Sequence, residues 1–508
     1  MRQIETGHCP IDFQTLPRNW AVVSVGDAST NIQPGFACGI HNQDGIGVPH
    51  IRPMNIDRTG RLDLAVVKYV SAQNELRLHS GEVLFNNTNS AELIGKTTYI
   101  STEMELAFSN HMTRLRPATG INPRFIAYQL HFLWMVGYFQ HRCTHHVNQA
   151  SVSSSTLAET VPLVVAPTIE QARIVAEIEK QLTRLDAAVS ALKRVQANLK
   201  RYRASVLKAA CEGRLVPTEA ELARREGRSY EPASALLERI QVKSNQGGNY
   251  VGGLPEMPEG WSWTTLALLI AEGPQNGLYL PKTKYGSGTP ILRIDDFQSH
   301  MSRASEELRL VNANKEEVAL YSLRPGDMVV NRVNSPSHLG KTLFVENRNA
   351  PALFESNMMR MRLHESVSSE YVAIYLSSTI GRARLTARAK WAVNQASINQ
   401  QDVGLTPIPL PPAAEQRRIA VEVSRQLSVL AEIQMQLGTN TNRADKLRKS
   451  VLKRAFEGKL VPQDSKDEPA SVLLERIRGT ANLGCAPPAR NARGSRRKLA
   501  RAKETADV

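Results

Sequence analysis

The feature that most constrains this chain is a long segment that occurs twice. One copy runs from Glu170 to Pro217 and the other from Glu415 to Pro462, and 415 − 170 and 462 − 217 both equal 245. The copies share Glu-Gln at the start, then Ser-Val-Leu-Lys and Glu-Gly-(Arg/Lys)-Leu-Val-Pro at the end. Because no insertion separates them, we infer that the function of the segment requires this length.

Both copies carry apolar residues at heptad spacing, which predicts a coiled-coil seam. The seam residues are Leu185, Leu192, Leu199 and Val206 in the first copy and Leu430, Leu437, Ala444 and Val451 in the second. Prolines before each Glu-Gln pair and the glycines Gly213 and Gly458 predict where each helix begins and ends. Each helix either packs on its own globular domain or pairs with the other helix. We favour an antiparallel pair that acts as a spacer, because so long a stripe exceeds most domain cores.

The segments that precede the two helices also repeat, but only at scattered positions. Leu-Pro-Arg-Asn-Trp (16–20) corresponds to Met-Pro-Glu-Gly-Trp (257–261), and Gly-Val-Pro-His-Ile-Arg (47–52) corresponds to Gly-Thr-Pro-Ile-Leu-Arg (288–293). Val-Asn-Gln-Ala-Ser occurs in both halves, at 147–151 and 393–397. Short apolar runs separated by Gly, Pro and Asn predict strands, and Pro123–Tyr138 predicts a helix. A common frame with different residues between its fixed points suggests two similar modules with different targets.

These patterns predict an α+β fold, with two globular domains in tandem repeat separated by two long antiparallel helices that form a coiled-coil spacer. The predicted division is 1–160, first globular domain; 161–217, first long helix; 218–253, short helix and flexible linker; 254–406, second globular domain; 407–462, second long helix; 463–508, short helix and a basic, disordered tail.

The charge of the chain favours a polyanionic partner. Its 63 Lys and Arg against 48 Asp and Glu give a formal net charge of +15, which suits nucleic acid. The five cysteines show no paired spacing, which is typical of a reducing compartment. No apolar run approaches the length of a membrane span. We therefore expect a cytoplasmic protein that does not cross a membrane.

The repeated order of these parts resembles the DNA-specificity subunit of type I restriction-modification systems. The matching parts are the Pro-Leu-Pro-Pro and Glu-Gln helix starts, the Glu-Gly-Lys-Leu-Val-Pro helix ends and the Asn-Gln-Ala-Ser segments before each helix. The resemblance covers roughly residues 10–478. The first copy departs from it, since its helix start reads Val-Ala-Pro-Thr-Ile-Glu-Gln. No single motif is decisive, but the whole order in tandem is specific.

The resemblance implies that each globular domain is a target-recognition domain that reads one half of a bipartite, asymmetric site on double-stranded DNA. It also implies a non-catalytic chain that assembles with two modification (methyltransferase) subunits and with restriction (translocase/nuclease) subunits. Those partners would methylate adenine N6 or cut DNA, and they would hold the S-adenosylmethionine, ATP and Mg. The alternative interpretation is a coiled-coil scaffold that joins two protein-binding domains.

The sequence itself predicts no catalytic residues, cofactor or metal on this chain. The tetrapeptide with which adenine methyltransferases hold a flipped base is absent. The Gly-Lys-Thr triplets at 95–97 and 340–342 lack the first glycine of a P-loop, since Ser90 and Ser335 occupy its place. His141, Cys143, His145 and His146 resemble zinc ligands, but the second half has Ala387, Ala389, Trp391 and Ala392 there. We therefore expect a polar loop rather than a metal site.

Two groups of residues are candidates for contact with DNA. Lys96, Thr97, Lys341 and Thr342 form either a turn near phosphates or a purely structural turn. Arg382, Arg384, Arg388 and Lys390, which lead to Trp391, predict either a DNA-facing segment or a solvated helix face. Asn148, Gln149, Asn394 and Gln395 are identical in the two halves, so we expect them at the domain-to-helix junction rather than at bases.

Overall fold

The computed structural model of the chain describes residues 9–71, 77–101, 103–147, 149–244, 254–298, 301–392 and 395–483. Residues 245–253 of the predicted linker Ser244–Gly253, the tail from residue 484, Asn148 and Asn394 lie outside these ranges, whereas Ser244 ends a helix. The chain divides into two compact units. The first unit comprises Met1–Ser190 and Asn440–Val508, and the second comprises Ala191–Thr439. Each unit thus contains part of both long helices. The domain boundaries that the repeat predicts stay a prediction.

The first unit is built from small sheets and one buried helix. Its four-stranded antiparallel sheet has the order Ser29–Pro34, Met112–Pro117, Val83–Asn86, Thr97–Tyr99. A second sheet has the order Lys68–Val70, Val48–Ile51, Leu106–Phe108, Arg77–Leu78. The remaining strands are Thr144–His145, Ala150–Ser151 and Thr88–Asn89 in one sheet, and Ala21–Ser24 with Pro162–Val165 in another. The helices are Pro123–Met135, Ser154–Thr160 and Ala470–Leu483, besides the parts of the two long helices.

The second unit repeats this plan. Its four-stranded sheet has the order Ile270–Asn276, Met358–Leu363, Met328–Asn331, Thr342–Phe344. Its other sheets are Arg309–Val311, Tyr285–Leu292 and Leu353–Phe354; Val333–Asn334, Gln395–Ser397 and Lys390–Ala392; Phe297–Gln298 with Met301–Ser302; and Ser262–Thr265 with Pro407–Leu410. Its shorter helices are Glu219–Glu226, Ala233–Ser244, Leu266–Leu269, Lys315–Tyr321, Ser369–Ser377, Thr379–Leu385 and Gln400–Gly404.

The two long helices, Thr168–Cys211 and Ala413–Phe456, each contain 44 residues. Within the first unit, Ile174, Ile178 and Leu182 pack with Leu452 and Phe456 in one buried cluster. This cluster also contains aromatic side chains of the globular part. Both interpretations of the heptad stripe therefore hold in part, since the helices pack on each other and on the domain. The predicted α+β class with two long antiparallel helices is confirmed.

The polar contacts of each unit give the direction of the helices. In the first unit, Asp186 pairs with Arg448 of the second long helix, and Arg173, nearer the start of the first helix, pairs with Asp467, which follows the end of the second. The two helices therefore run in opposite directions. In the second unit, the Tyr202 hydroxyl donates to Gln426 at 3.1 Å. Three of the eight predicted seam residues are buried, namely Val206, Leu430 and Ala444. The other five are half-buried, namely Leu185, Leu192, Leu199, Leu437 and Val451. Beside Val451, Leu452 is 1% exposed and fills the core.

The Glu-Gln pairs attach each long helix to its unit. The Trp20 indole nitrogen donates to Glu170 at 3.0 Å, and Trp261 donates to Glu415 at 2.9 Å. Both glutamates are fully buried. The indole N–H groups stabilise these carboxylates, because a buried carboxylate needs hydrogen-bond donors in place of water.

The glutamines beside these glutamates serve loops. Gln171 accepts from the Asn122 backbone N–H at 2.7 Å, and Gln416 accepts from that of Ser368 at 2.8 Å. The repeated Glu-Gln pair therefore has the same structural role in both copies.

The glycines that follow the long helices are required by their conformation. Gly213 and Gly458 have φ of 67° and 70°, a region that favours glycine. A side chain on Gly213 would lie 2.6 Å from the ring of Pro258, and one on Gly458 would lie 2.4 Å from the ring of Pro17. The end of each long helix therefore packs against the Pro-x-x-Trp segment of the unit in which it lies.

Candidate nucleic-acid interface

An exposed hairpin in the second unit carries the last residues of the basic cluster. Its outer strand, Lys390–Ala392, pairs with Gln395–Ser397. Trp391 lies opposite Ala396, which is buried, yet Trp391 itself is 64% exposed. Lys390 and Arg388 are also exposed. An indole and two cations at the rim of a domain form a surface that suits stacking and phosphate contact.

The first unit has the same hairpin with different side chains. Thr144–His145 pairs with Ala150–Ser151, which pairs in turn with Thr88–Asn89. Thr144 and His145 are exposed, as Lys390 and Trp391 are in the second unit. The Cys143 sulfur lies 3.7 Å from Nε2 of His145. Across the described residues, no group of three His, Cys, Asp or Glu side chains is arranged to hold a metal ion.

The loop that supports each hairpin forms the same pattern of hydrogen bonds in both units. Asn87 donates its backbone N–H to His111 at 3.0 Å, and its side chain donates to the Asn110 carbonyl at 3.2 Å. Arg332 donates its backbone N–H to the Asn357 carbonyl at 2.8 Å, and its guanidinium donates to the Ser356 carbonyl at 3.2 Å. The backbone frame is thus common to both units.

Lys96 and Thr97 are buried in the first unit. The Lys96 ammonium donates to the carbonyl of Pro53 at 2.9 Å and to that of Ile56. Burial lowers the pKa of Lys96. The Thr97 hydroxyl donates to Gly95 at 2.8 Å. These contacts stabilise a turn, and contact of either residue with DNA stays a prediction.

Thr97 also bonds to a buried histidine. Its backbone N–H donates to Nδ1 of His131 at 3.3 Å, while Nε2 of His131 lies 3.2 Å from the Arg58 carbonyl. Burial lowers the pKa of His131 to about 4. The ring is therefore neutral near pH 7, with Nδ1 as acceptor and Nε2 as donor.

Lys341 and Thr342 occupy the matching turn of the second unit. Thr342 is buried, and its hydroxyl donates to Gly340 at 3.2 Å. Lys341 is half-buried, and burial together with the charge of Arg382 lowers its pKa. A strand begins at the threonine of each Gly-Lys-Thr triplet, where a P-loop would have a helix.

The arginine cluster divides into fixed and exposed members. Arg382 donates from Nε to Leu339 at 2.8 Å and from a terminal nitrogen to Ser337 at 2.6 Å. Arg384 donates to the Tyr375 hydroxyl at 3.0 Å, and its guanidinium carbon lies 4.7 Å from the centre of the Trp263 ring. These two guanidinium groups therefore stabilise the domain, and the exposed end of the cluster is Arg388, Lys390 and Trp391. Contact with DNA stays a prediction for all of them.

The sequence interpretation did not select the arginines that end the repeated Gly-x-Pro segments. Arg52 follows the strand Val48–Ile51, and Arg293 follows Tyr285–Leu292. Each of these strands pairs in parallel with a neighbouring strand of its sheet. The sequence did carry a signal, because an arginine stands at the same place in both halves. The repeated Gly-x-Pro segments were interpreted only as shared scaffold.

Comparison with known proteins gives near-full-length relatives of one kind. The chain is 24% identical over 486 residues to the "Type I restriction enzyme EcoKI specificity subunit" of Escherichia coli K12, covering 91% of this chain and 96% of that protein. It is 25% identical over 488 residues to the StySPI specificity subunit of Salmonella potsdam, with the same coverage. A putative MjaX specificity subunit of Methanocaldococcus jannaschii is 30% identical over 202 residues, which is 40% of this chain and 46% of that protein.

A solved structure described as "Structural basis underlying complex assembly and conformational transition of the type I R-M system" shares the fold. Its TM-score is 0.57 at 17% identity, over 88% of this chain and 99% of that one. No protein-family profile matches the chain. The class of the chain is defined by two findings together. Its α+β fold is a repeat with two long antiparallel helices, and its near-full-length relatives are all of one type. The comparisons support the specificity subunits of type I restriction enzymes as its class.

A specificity subunit is the component that recognises DNA sequence, and it is not itself catalytic. The predictions of a DNA-recognising, non-enzymatic subunit are therefore confirmed. Among the helices that the structure describes, none combines the length and the hydropathy that crossing a bilayer requires.

Proposed function

We propose that the chain reads a bipartite, asymmetric site on double-stranded DNA, with each unit contacting one half-site. The observation that carries this proposal is the pair of matching hairpins. Their backbone frame is common, yet one exposes His145 and the other exposes Lys390 and Trp391. Domains with equal frames and different exposed side chains suit two different sequences, because bases are distinguished by side-chain contacts in the grooves.

The proposal extends to the partners of the chain. The chain directs two modification subunits that methylate adenine N6, and restriction subunits that translocate and cut DNA. These partners supply S-adenosylmethionine, ATP and Mg, and the complex acts in the cytoplasm. The net charge of +15 supports a role for phosphate contacts in affinity.

The long helices set the distance between the half-sites in this proposal. Support comes from their equal length of 44 residues and from the apolar contacts along them. Lys96, Thr97, Lys341, Thr342, Arg382 and Arg384 would act by supporting the domains, while Arg388 and Lys390 would contact phosphates. This division follows from the bonds of Lys96, Arg382 and Arg384 to protein groups and from the partial burial of Lys341.

The first experiment is a base-resolution map of N6-methyladenine in the source genome, with and without this gene. We expect a motif of two short sequences separated by unspecified bases, present in the wild type and lost on deletion. A map that does not change on deletion, although the modification genes are expressed, would contradict the proposal.

A second experiment exchanges residues 254–406 for those of a relative with a different target. The expected result is a new sequence in one half-site and an unchanged second half-site. A change in both half-sites together would contradict the assignment of one half-site to each unit.

A further inference from the structure

An open groove on the second unit combines aromatic and cationic side chains. It encloses about 730 Å³ and is lined by Tyr279, Lys282, Tyr285, Arg293, Arg309 and Glu355, among others. Tyr279 is 78% exposed, and Lys282 and Arg309 are exposed as well. Three cations face one carboxylate in this set, so the groove favours an anionic ligand.

Arg293 is held in the groove by a carboxylate. Its Nε donates to Glu355 at 3.2 Å. The other oxygen of Glu355 accepts the backbone N–H of Ile294 at 2.8 Å, so both carboxylate oxygens are engaged. Glu355 is 8% exposed, and its own backbone N–H donates to Leu292 at 3.1 Å. The carboxylate is therefore fixed by the sheet, and it fixes the guanidinium in turn.

The contact with Glu355 uses only one of the three guanidinium nitrogens. The two terminal nitrogens of Arg293 have no hydrogen-bond partner among the residues that the structure describes. Beside them, the Tyr285 ring centre lies 5.9 Å from the guanidinium carbon. A planar fork held through Nε matches the O6 and N7 acceptors of guanine in the major groove.

The groove adjoins the hairpin described above. Ser356 and Asn357 line the groove, and they accept hydrogen bonds from Arg332 at 3.2 and 2.8 Å. Arg332 lies directly before Val333–Asn334, the strand that pairs with Gln395–Ser397. The groove and the hairpin with Trp391 are therefore neighbouring parts of one domain.

The first unit has the arginine but lacks its carboxylate. Arg52 ends the strand that runs parallel to Leu106–Phe108, as Arg293 ends the one that runs parallel to Leu353–Phe354. Ser109 takes the place of Glu355, and its backbone N–H donates to Ile51 at 3.0 Å. Among the residues that the structure describes, the buried Nε of Arg52 has no hydrogen-bond partner. The carboxylate support is thus particular to the second unit.

We propose that Arg293, oriented by Glu355, reads a guanine in the half-site contacted by the second unit. Arg293 is the specificity-determining residue, and Glu355 is a positioning residue that acts through it. This inference rests on the proposed function, because it requires that the second unit contacts one half-site.

The test compares genome-wide N6-methyladenine maps made with the full complex carrying the wild-type chain, Arg293→Ala, Arg293→Lys or Glu355→Gln. We expect Arg293→Ala to accept other base pairs at one guanine position of one half-site and to leave the other half-site unchanged. Arg293→Lys should relax the same position, because an ammonium lacks the fork. Glu355→Gln should relax that position to a smaller degree.

The matched control is Arg348→Ala, which removes one exposed arginine of the same unit outside the groove. We expect its motif to equal that of the wild type. Retained methylation at sites with the wild-type guanine shows that each variant folds and assembles. On duplexes that carry this guanine, the purified complex with Arg293→Ala should bind roughly 5- to 150-fold more weakly, as for loss of one bidentate base contact.

Several outcomes would overturn the inference. An unchanged motif in Arg293→Ala would show that this residue reads no base. An equal loss at all sequences would show that it contacts a phosphate instead. Either result leaves a bipartite wild-type motif in place, so failure of this inference differs from failure of the proposed function, in which the wild type gives no such motif.

Discussion

The indole nitrogen of Trp20 lies 3.0 Å from a carboxylate oxygen of Glu170, at the first turn of the first long helix. Gln463, which follows the end of the second long helix, donates to the other oxygen of the same carboxylate. In the second unit Glu415 accepts from Trp261 and from the backbone of Glu219, which follows the end of the first long helix. In each unit, the start of one long helix is therefore bonded to the segment that follows the other.

Removal of the indole donor should destabilise the unit that contains it. We expect Trp20→Phe to lower the free energy of unfolding by about 1–3 kcal/mol, because a buried carboxylate loses a donor. The measurement is urea denaturation of the full chain, with Trp263→Phe as the control. Trp263 donates to Pro255 at an exposed site, so its replacement should cost less. Equal effects of the two variants would contradict the role of the Trp20–Glu170 bond.

The buried glutamates should make stability depend on pH. Burial raises the pKa of Glu415 from its ordinary value of 4.5, although hydrogen bonds from Glu219 and Trp261 oppose this. A folded-state pKa above the unfolded value means that the folded state binds the proton more tightly. The stabilisation is complete below the unfolded pKa and is lost as the pH rises through the folded value.

We therefore expect the stability of the wild type relative to Glu415→Gln to fall as the pH rises through the ordinary pKa of 4.5 and then through the higher folded-state pKa. Glutamine keeps the shape of the side chain and does not titrate, so the difference isolates this carboxyl group. Urea denaturation at several pH values measures it. A difference that rises with pH would show that the donors around Glu415 outweigh its burial.

An acidic side chain at position 431 should stabilise the second unit. Arg448 pairs with Asp186 in the first unit. The matching residues 245 positions away are Arg203 and Ala431, since 448 − 203 and 431 − 186 both equal 245. A buried terminal nitrogen of Arg203 has no hydrogen-bond partner within the described part of the chain, and burial lowers the pKa of this arginine. Arg203 and Ala431 line the same cavity.

We expect Ala431→Asp to raise the free energy of unfolding by about 1 kcal/mol, because it supplies the missing acceptor. The reverse change, Asp186→Ala, should cost about 3–5 kcal/mol because it leaves Arg448 buried without its carboxylate. Thermal and urea denaturation measure both effects. Destabilisation by Ala431→Asp would show that the two cavities differ in more than this residue.

Lengthening the two long helices should change the spacing of the DNA site. Seven residues added to each helix, after Ser190 and after Thr439, extend both by roughly 10 Å, or about three base pairs, while keeping the apolar seam in register. We expect a longer spacer between unchanged half-sites, or loss of methylation. The N6-methyladenine map measures this, and an unchanged spacer would contradict the proposed role of the helices.

The amino-acid sequence by itself determined the two long helices and the repeat of the domains. Heptad spacing, the prolines before each helix and the glycines after them are local signals, and they act on residues that are close in the chain. The repeat itself indicated two similar modules. The heptad pattern overstated the burial of the seam, since Leu185, Leu192, Leu199, Leu437 and Val451 are only half-buried. Leu452 is buried in place of Val451, a shift of one residue along the seam.

Only the tertiary structure decided which cations are engaged by the protein. Lys96 lies 43 residues from Pro53, whose carbonyl it bonds, and Arg293 lies 62 residues from Glu355. Arg293 and Glu355 meet because each follows one of two paired parallel strands, whereas Lys96 and Pro53 lie next to strands of two different sheets. No local pattern encodes either meeting. Lys96 and Arg293 are both cations next to a strand. Tertiary packing makes Lys96 part of a buried turn, whereas it leaves the terminal nitrogens of Arg293 open to a groove.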